Sequence, residues 1–270
     1  MIRSKATAWL FAVGLFGSPA AFAQDPVMSL GTGINYSSGN YGTATRTTIT
    51  SVPLIGRYET GPWTFKLTVP YIRISGSSTV IPGIGVTANT NPTGRGGTGV
   101  VVAPVTTSST ASGLGDIVAA ATYNVYNNAA SKVGIDLTGK VKLPTADRDK
   151  GLGTGEADYS FQVDAFRQFD RFTLFGGLGY NFLGSSSFIQ LNDVWNASLG
   201  GSYKIDDMRS AGISFDAREK VSSTSFPLRE LTAFYAHKFD RKWKGQVYYL
   251  KGLSDGSPDW GAGATVTYTF

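Results

Sequence analysis

The C-terminal end of the chain has the clearest hydrophobic pattern. From Trp260 to Phe270 every second residue is apolar, and the residues between them are glycine or threonine. A period of two is typical of a β-strand with one apolar and one polar face, whereas an amphipathic helix repeats its apolar residues every three or four positions. The pattern therefore predicts a strand over 260–270 that ends on an aromatic residue.

The same alternation recurs upstream in segments of about ten residues, the length with which a tilted strand crosses a bilayer. Over 133–143, for example, apolar residues alternate with glycine, aspartate, threonine and lysine, apart from Gly139. Segments of this kind predict twelve strands, at roughly 28–38, 46–59, 63–74, 114–126, 132–143, 156–168, 172–184, 193–205, 209–220, 229–238, 243–251 and 260–270.

The connections between these segments alternate between short and long. The short connections are 60–62, 127–131, 169–171, 206–207 and 239–242, and the long ones are 39–45, 75–113, 144–155, 185–192, 221–228 and 252–259. Outer-membrane barrels have short periplasmic turns and longer surface loops, whereas a soluble β-sandwich has no reason to sort its loops in this way. The sequence therefore predicts an all-β fold, a transmembrane antiparallel up-and-down β-barrel of about 12 strands.

Aromatic residues are concentrated near the predicted ends of the strands. Rings with one apolar and one polar edge are favoured at the two membrane–water interfaces, so the pattern predicts two aromatic belts. One belt, near the short turns, comprises Trp63, Phe65, Phe172, Phe239, Trp243 and Phe270, and the other, near the long loops, comprises Tyr36, Tyr71, Tyr180, Phe182, Trp195 and Trp260.

The N-terminus has the features of a secretory signal peptide. Arg3 and Lys5 precede an apolar stretch at 6–17, and Ala21-Phe22-Ala23 supplies small residues at the positions that a signal peptidase requires. A membrane-anchoring helix is the alternative, but the apolar run is short and Pro19 interrupts it. We expect residues 1–23 to be a signal peptide and residues 24–270 to form the outer-membrane barrel.

Composition and charge narrow the function classes. The chain has 270 residues with 34 glycines and no cysteine, which excludes a disulfide scaffold. The formal net charge is +5, and it falls to +3 without the two basic residues of the predicted signal peptide. This small excess does not indicate a nucleic-acid partner or a polyacidic ligand.

Several motifs in the mature chain resemble one known family. They are Val52-Pro53-Leu54 with Arg57-Tyr58, Trp63 with Val69-Pro70-Tyr71, Gly113-Leu114-Gly115-Asp116, Lys140 to Thr145, and Gly151 to Gly155 with Asp158-Tyr159. Together they are similar to the MetA-pathway-of-phenol-degradation family, predicted outer-membrane barrels that are often called transporters. The glycine-rich blocks at 113–116 and 151–159 are the more specific parts. The resemblance implies a barrel involved in uptake of aromatic or other apolar compounds, although composition and spacing do not themselves indicate phenol.

If the apolar faces contact lipid, the alternate faces line the lumen. Charged residues on those faces are candidates for contact with a solute: Arg57, Glu59, Lys66, Asp116, Asp136, Lys140, Lys142, Asp158, Asp164, Lys204, Asp216, Arg218, Lys220 and Glu230. Barrels of about eight strands have filled interiors and barrels of about sixteen have open pores, so twelve strands leave two alternatives open. One is a small charged-wall pore, and the other is an interior filled by ion pairs.

The connection at 75–113 is unusually long and rich in glycine, serine, threonine and valine. Arg95 is its single charged residue. Val80-Ile81 and Val100 to Val102 favour β-structure, so a hairpin that extends the third and fourth strands is expected. The connection is either a flexible or hairpin-like surface loop, or a functional element that forms a constriction folded into the lumen or a lid over an apolar solute.

Catalytic chemistry finds little support in the sequence. The single histidine, His237, falls at the predicted periplasmic end on the lipid-facing side, where a structural role at the interface is the simpler interpretation. There is no cysteine nucleophile and no serine within a GxSxG motif. We therefore expect no catalytic residues and no enzyme activity, with an outer-membrane hydrolase kept as the least favoured alternative.

Two further motifs could suggest ligands. Asp147 and Asp149 could bind a divalent cation, but the interleaved Arg148 and Lys150 oppose this and favour solvated loop charges that face lipopolysaccharide. The glycine-rich run at 151–155 opens a strand, whereas a phosphate cradle needs a helix N-terminus. We therefore expect neither a metal nor a cofactor.

These observations predict a channel or transporter in the bacterial outer membrane for passive passage of a small solute, which the resemblance suggests to be aromatic or apolar. Residues 24–28 are too few for an N-terminal hatch, which favours passive diffusion over energy-driven transport. The alternative is a non-conducting structural barrel. The expected partners are membrane lipid, lipopolysaccharide and the barrel assembly machinery, which would recognise the terminal strand that ends at Phe270.

Overall fold

The computed structural model describes residues 25–95 and 108–270, together with the backbone of two short N-terminal strands, Ala6–Ala8 and Val13–Leu15, which pair antiparallel. The remainder of the predicted signal peptide, and Val100 to Val102, lie outside the described residues. No helix within the described residues is long and apolar enough to cross a membrane.

Over 25–95 and 108–270 the chain forms twelve barrel strands, which we number β1 to β12. The fourth strand, β4, consists of two segments separated by Gly115 and Asp116. The strands are β1 (Val27–Gly39), β2 (Thr47–Thr60), β3 (Trp63–Ser77), β4 (Ser108–Leu114 and Ile117–Asn128), β5 (Val133–Leu143), β6 (Asp158–Phe169), β7 (Phe172–Phe182), β8 (Val194–Lys204), β9 (Arg209–Arg218), β10 (Leu228–Lys238), β11 (Trp243–Gly252) and β12 (Trp260–Thr269).

The sheet closes on itself. Each strand pairs antiparallel with the next, and β12 pairs with β1 from Trp260↔Ser38 to Thr269↔Ser29. Among the described residues every strand has a neighbour on both sides in the body of the barrel, and Ser108–Leu114, at the surface end, pairs on one side. Closure of this kind is the condition for a sheet to reside in lipid, where water cannot satisfy backbone groups. The predicted closed barrel of twelve strands is confirmed.

The outer surface is apolar around the whole barrel. Large side chains such as Leu67, Phe161 and Leu199 point outward on alternate positions, and Phe161 keeps 64% of its surface exposed. Soluble monomers rarely expose contiguous apolar patches of such extent. This surface therefore contacts the hydrocarbon of a bilayer.

Aromatic residues pair at both ends of this apolar surface. At the short-turn end the ring centroids of Trp63 and Tyr123 lie 4.8 Å apart. At the long-loop end the rings of Tyr180 and Trp195 lie 4.9 Å apart. These pairs lie at the positions of the two predicted aromatic belts, and the rings of each pair are contributed by different strands.

β3 and β4 extend into the connection at 75–113, as expected of a hairpin there, but through residues other than the valines that suggested it. Ser77 lies directly opposite Ser108, so β3 continues to Ser77 and β4 begins at Ser108. The periodicity missed this extension because serine and threonine occupy both faces there; the hydroxyls of Ser75 and Thr110 lie 2.8 Å apart. Gly115 interrupts β4, where its amide donates to the carbonyl of Pro70 and any side chain would overlap Ile72.

Buried apolar side chains are concentrated inside the surface end of the barrel, where the long loops fold inward. One cluster among the described residues is formed by Tyr41, Ile49, Ile72, Ile74, Val80, Ala146 and Leu152. A second cluster is formed by Ile81, Ile84, Ile189, Val194 and Val221. The described core therefore lies across the mouth of the barrel, and the lumen below it is lined by polar strand residues.

Candidate functional site: the barrel lumen

Residues 78–95 of the long connection lie inside the mouth. They include a short hairpin formed by Val80–Ile81 and Gly85–Val86. Arg218 of β9 donates from its two terminal nitrogens to the carbonyls of Gly83 and Ile84, each at 2.8 Å. Of the two alternatives for this connection, the geometry corresponds to a constriction in the lumen.

Arg95 fastens the end of this segment. Its guanidinium donates to the carbonyls of Gly76 at 3.1 Å and Ser109 at 2.9 Å, and to the hydroxyl of Ser109 at 2.6 Å. The residue is 9% exposed, and burial lowers the pKa of the guanidinium. The single charge of the connection therefore anchors it to β3 and β4 and is not available to a solute.

A cavity of about 230 Å³ lies beneath the constriction. Its wall includes apolar side chains such as Ile72, Ile84 and Leu152. The wall also includes seven charged residues among those described: Asp116, Lys140, Lys142, Asp158, Asp216, Arg218 and Glu230. All seven were predicted from side-chain alternation to face the lumen, and the barrel brings them together from four strands, β5, β6, β9 and β10, and from the break in β4.

Lys142 joins two carboxylates at this level. Its Nζ lies 3.2 Å from Oδ2 of Asp116 and 2.8 Å from Oδ2 of Asp158, and it donates to the hydroxyl of Thr154 at 3.1 Å. The second oxygens of the two carboxylates accept backbone amides, Asp116 from Ala146 and Asp158 from Gly184. The network therefore attaches two surface loops to the barrel wall.

Asp216 and Glu230 form a second acidic pair in the cavity. They lie directly opposite each other on β9 and β10, and Glu230 is 4% exposed. Asp216 accepts a hydrogen bond from Ser214 at 3.1 Å. The nearby guanidinium of Arg218, held by the loop carbonyls, attracts Glu230 electrostatically. The loop carbonyls therefore hold Arg218, the counter-charge of this acidic pair, in position.

Further down the lumen, the predicted residues contact side chains of the same strand or of the neighbouring strand. Nε of Arg57 lies 2.7 Å from Glu59 in an ion pair without hydrogen-bond geometry. Asp136 accepts from Asn124 at 2.6 Å, and Asp164 accepts from Gln162 at 2.6 Å. Lys140 donates to the same glutamine, Gln162, at 3.0 Å.

Two of the predicted residues are not brought to the lumen. Lys220 lies beyond the end of β9 in an exposed loop, because the strand stops at Arg218. Lys204 is the last residue of β8, at the exposed periplasmic rim, and pairs with Asp207 of the turn at 2.5 Å. Alternation predicts an inward side chain only within a strand. The prediction is therefore wrong for Lys220, and Lys204 lies at the rim and not inside the lumen.

Sequence reasoning also missed two inward lysines. Lys238 ends β10 and Lys244 follows the first residue of β11, and they lie directly opposite each other. Each lysine is next to an exposed aromatic residue, Phe239 or Trp243, so alternation places the two lysine side chains on the inward face. The alternation therefore extends to both lysines, although they lie next to the turn at 239–242.

His237 lies in an aromatic environment. Its ring contacts Phe239 edge to face at 4.8 Å and lies parallel to Tyr235 at 6.4 Å. Its Nδ1 has no hydrogen-bond partner among the described residues. The geometry therefore gives this histidine neither an orienting carboxylate nor a neighbouring nucleophile at Nδ1.

The carboxylates of Asp147 and Asp149, in the loop 144–157, accept hydrogen bonds from the loop itself and from the constricting segment. Asp147 accepts the amides of Asp149 and Lys150, each at 3.0 Å, and hydrogen bonds from Lys150 lower the pKa of Asp147. Asp149 accepts from Asn91 of the constricting segment at 2.8 Å. Within the described residues no group of acidic or histidine side chains is arranged to hold a metal ion.

Comparison with known sequences identifies the family. Residues 37–270 match the family described as "Putative MetA-pathway of phenol degradation". The chain belongs to this family. The match confirms the resemblance inferred from the motifs. Among curated proteins, none matches the chain in sequence.

Solved structures share the fold at low sequence identity. The COG4313 outer membrane channel from Pseudomonas putida F1 is similar with a TM-score of 0.66 and 15% identity, covering 92% of this chain and 97% of that one. The KdgM porin has a TM-score of 0.53 and 10% identity over 90% of this chain and 99% of its own. The β domain of the Bordetella autotransporter BrkA has a TM-score of 0.53 and 13% identity, with 91% and 100% covered. The fold and its apolar surface place the protein in the bacterial outer membrane.

Proposed function

We propose that the protein is an outer-membrane channel for passive passage of a small solute with an aromatic or apolar body. The cavity beneath the constriction carries this proposal, because it combines an apolar wall with charged residues inside a closed barrel. A cavity of about 150 Å³ holds benzene, so 230 Å³ suits a substituted ring. Membership of a phenol-degradation family is consistent with such a solute.

The proposal includes three expectations from the sequence. Residues 1–23 are removed on export, the strand that ends at Phe270 is recognised by the barrel assembly machinery, and the inward charged residues contact the solute. The protein acts without catalysis in this proposal, and His237 supports the aromatic belt. The filled mouth favours one alternative, a non-conducting structural barrel, because apolar clusters occupy the space through which a solute would enter.

Single-channel recording in planar bilayers separates these two functions. The informative variant replaces residues 78–107 by Asn-Gly, since Ser77 and Ser108 lie directly opposite each other and a two-residue turn can join them. We expect small conductance steps from the wild type and steps several times larger from the variant. The control is Arg218→Gln, which removes the hydrogen bonds to Gly83 and Ile84 and should give an intermediate increase. A folded wild-type barrel that gives no steps would contradict the channel, whether or not the two variants conduct.

A further inference from the structure

Four inward basic residues lie in the periplasmic half of the lumen, and we call them the lower basic cluster: Arg57, Lys66, Lys238 and Lys244. They form two cross-strand pairs, Arg57 opposite Lys66 and Lys238 opposite Lys244. Like charges directly opposite on the same face of a sheet destabilise it. Two such pairs in one part of the lumen therefore call for a compensating charge.

The two pairs also act on each other. Arg57 of β2 repels both Lys66 of β3 and Lys244 of β11, and Lys238 repels Lys244. The positive charges of four strands thus contribute to one field. In the low-dielectric interior of a barrel, such a field attracts anions more strongly than the same charges would in water.

Protein carboxylates neutralise part of this charge. Within the part of the chain that the structure describes, Glu59 is the carboxylate in ion-pair contact with the cluster, 2.7 Å from Arg57, and it also attracts Lys244. Asp136 also attracts Arg57, but it accepts a hydrogen bond from Asn124. Asp207 attracts Lys238 from the turn, but it is paired with Lys204 at the rim.

The cavity above has a different balance. Four carboxylates and three cations line it among the described residues, and Lys142 bridges two of those carboxylates. A solute that enters thus meets an apolar, nearly compensated site first and a site with surplus positive charge second. The order suits a molecule with an apolar body and an anionic end.

We propose that the lower basic cluster binds the carboxylate of small organic anions, so that the lumen prefers aromatic or aliphatic carboxylates to neutral or cationic solutes. The preference for anions that pass through the lumen rests on the proposed channel function, whereas binding of the carboxylate at the lower basic cluster does not depend on it. Lysine and arginine form strong charge-assisted hydrogen bonds with carboxylates, and the cross-strand pairs place the donors from neighbouring strands together.

Binding is the first test, with benzoate as the probe and benzyl alcohol and benzylammonium as neutral and cationic probes of similar size. Calorimetry on the folded barrel in detergent should show benzoate as the preferred probe. Double substitution Lys66→Gln with Lys244→Gln should weaken benzoate binding about tenfold or more. The charge-preserving pair Lys66→Arg with Lys244→Arg should retain binding. Lys220→Gln, which removes an exposed loop charge, should have no effect.

Selectivity is the second test. In planar bilayers with a salt gradient, the wild-type reversal potential should indicate preference for the anion, and the double Gln variant should move it toward zero. A barrel that conducts without anion preference and binds the three probes equally would overturn the inference and leave the channel intact. A silent barrel that still binds benzoate through Lys66 and Lys244 would refute the channel and support the site. Heat-modifiable gel mobility confirms that each variant is folded.

Discussion

At the surface end the lumen is filled by loop residues that pack on one another and on the wall, whereas at the periplasmic end it is lined by side chains of the strands themselves. In the upper half Lys142 is paired with Asp116 and Asp158, and the like-charged pair of Asp216 and Glu230 has Arg218 as its counter-charge. In the lower half like charges lie opposite each other. The upper half is thus organised for stability and the lower half for interaction with something outside the chain.

The largest effect is expected from Lys142→Met. This change leaves the buried carboxylates of Asp116 and Asp158 without their shared cation and should lower the free energy of unfolding by about 3 kcal/mol. Equilibrium unfolding of the refolded barrel in detergent measures it. Lys150→Met, which breaks an exposed pair with Asp147, is the control and should cost less than about 1 kcal/mol. Equal losses from both variants would contradict the difference between buried and exposed pairs.

An intermediate effect is expected from Gly115→Ala. A methyl group at this position would overlap Ile72 in the packed mouth, and overpacking of this kind costs about 1–3 kcal/mol. Gly56→Ala is the matched control, since no heavy atom lies within 4 Å of the added carbon. The unfolding midpoints of the two variants can be compared in one denaturant series. Equal midpoints for Gly115→Ala and Gly56→Ala would show that the mouth is loosely packed around Gly115.

The smallest effect is expected at Asp147. Hydrogen bonds, first from the amide of Lys150, hold the pKa of this carboxyl below its usual value. A carboxyl whose folded pKa is lowered contributes stability above its unfolded pKa, and this contribution is lost as pH falls through the folded value. Asp147→Asn should therefore shift the unfolding midpoint slightly at neutral pH and not at all in strong acid. A difference in unfolding midpoint that grows as the pH falls would show that the ionised carboxylate of Asp147 does not stabilise the fold.

Much of the barrel could be predicted because a strand between lipid and lumen must alternate apolar side chains toward lipid with polar side chains toward the lumen. Leu67 and Phe161 are exposed to lipid where the period of two requires it, and Lys66 and Gln162 point inward beside them. The candidate site was predicted less completely. Lys220 has inward parity in the sequence but follows the end of its strand, and the position of a strand end depends on hydrogen bonds with neighbouring strands.

The constricting segment could not be assigned from its sequence. Val80 and Ile84 are compatible with a surface hairpin as well as with a buried one, and their burial depends in part on distant residues, Leu152 for Val80 and Val221 for Ile84. Arg95 likewise has no local motif that indicates its carbonyl partners. Loop burial is decided by the shape of the space that the closed barrel encloses.

The sequence by itself determined the strand number, the lipid-facing surface and the inward parity of most charges, because these depend on local alternation and on the requirement that lipid meet only apolar side chains. The tertiary structure decided which charges meet. Lys142 joins Asp116 and Asp158, and Arg57 faces Lys66, because the register between neighbouring strands brings these residues to the same height. Such pairings depend on the register between strands, which no single strand encodes.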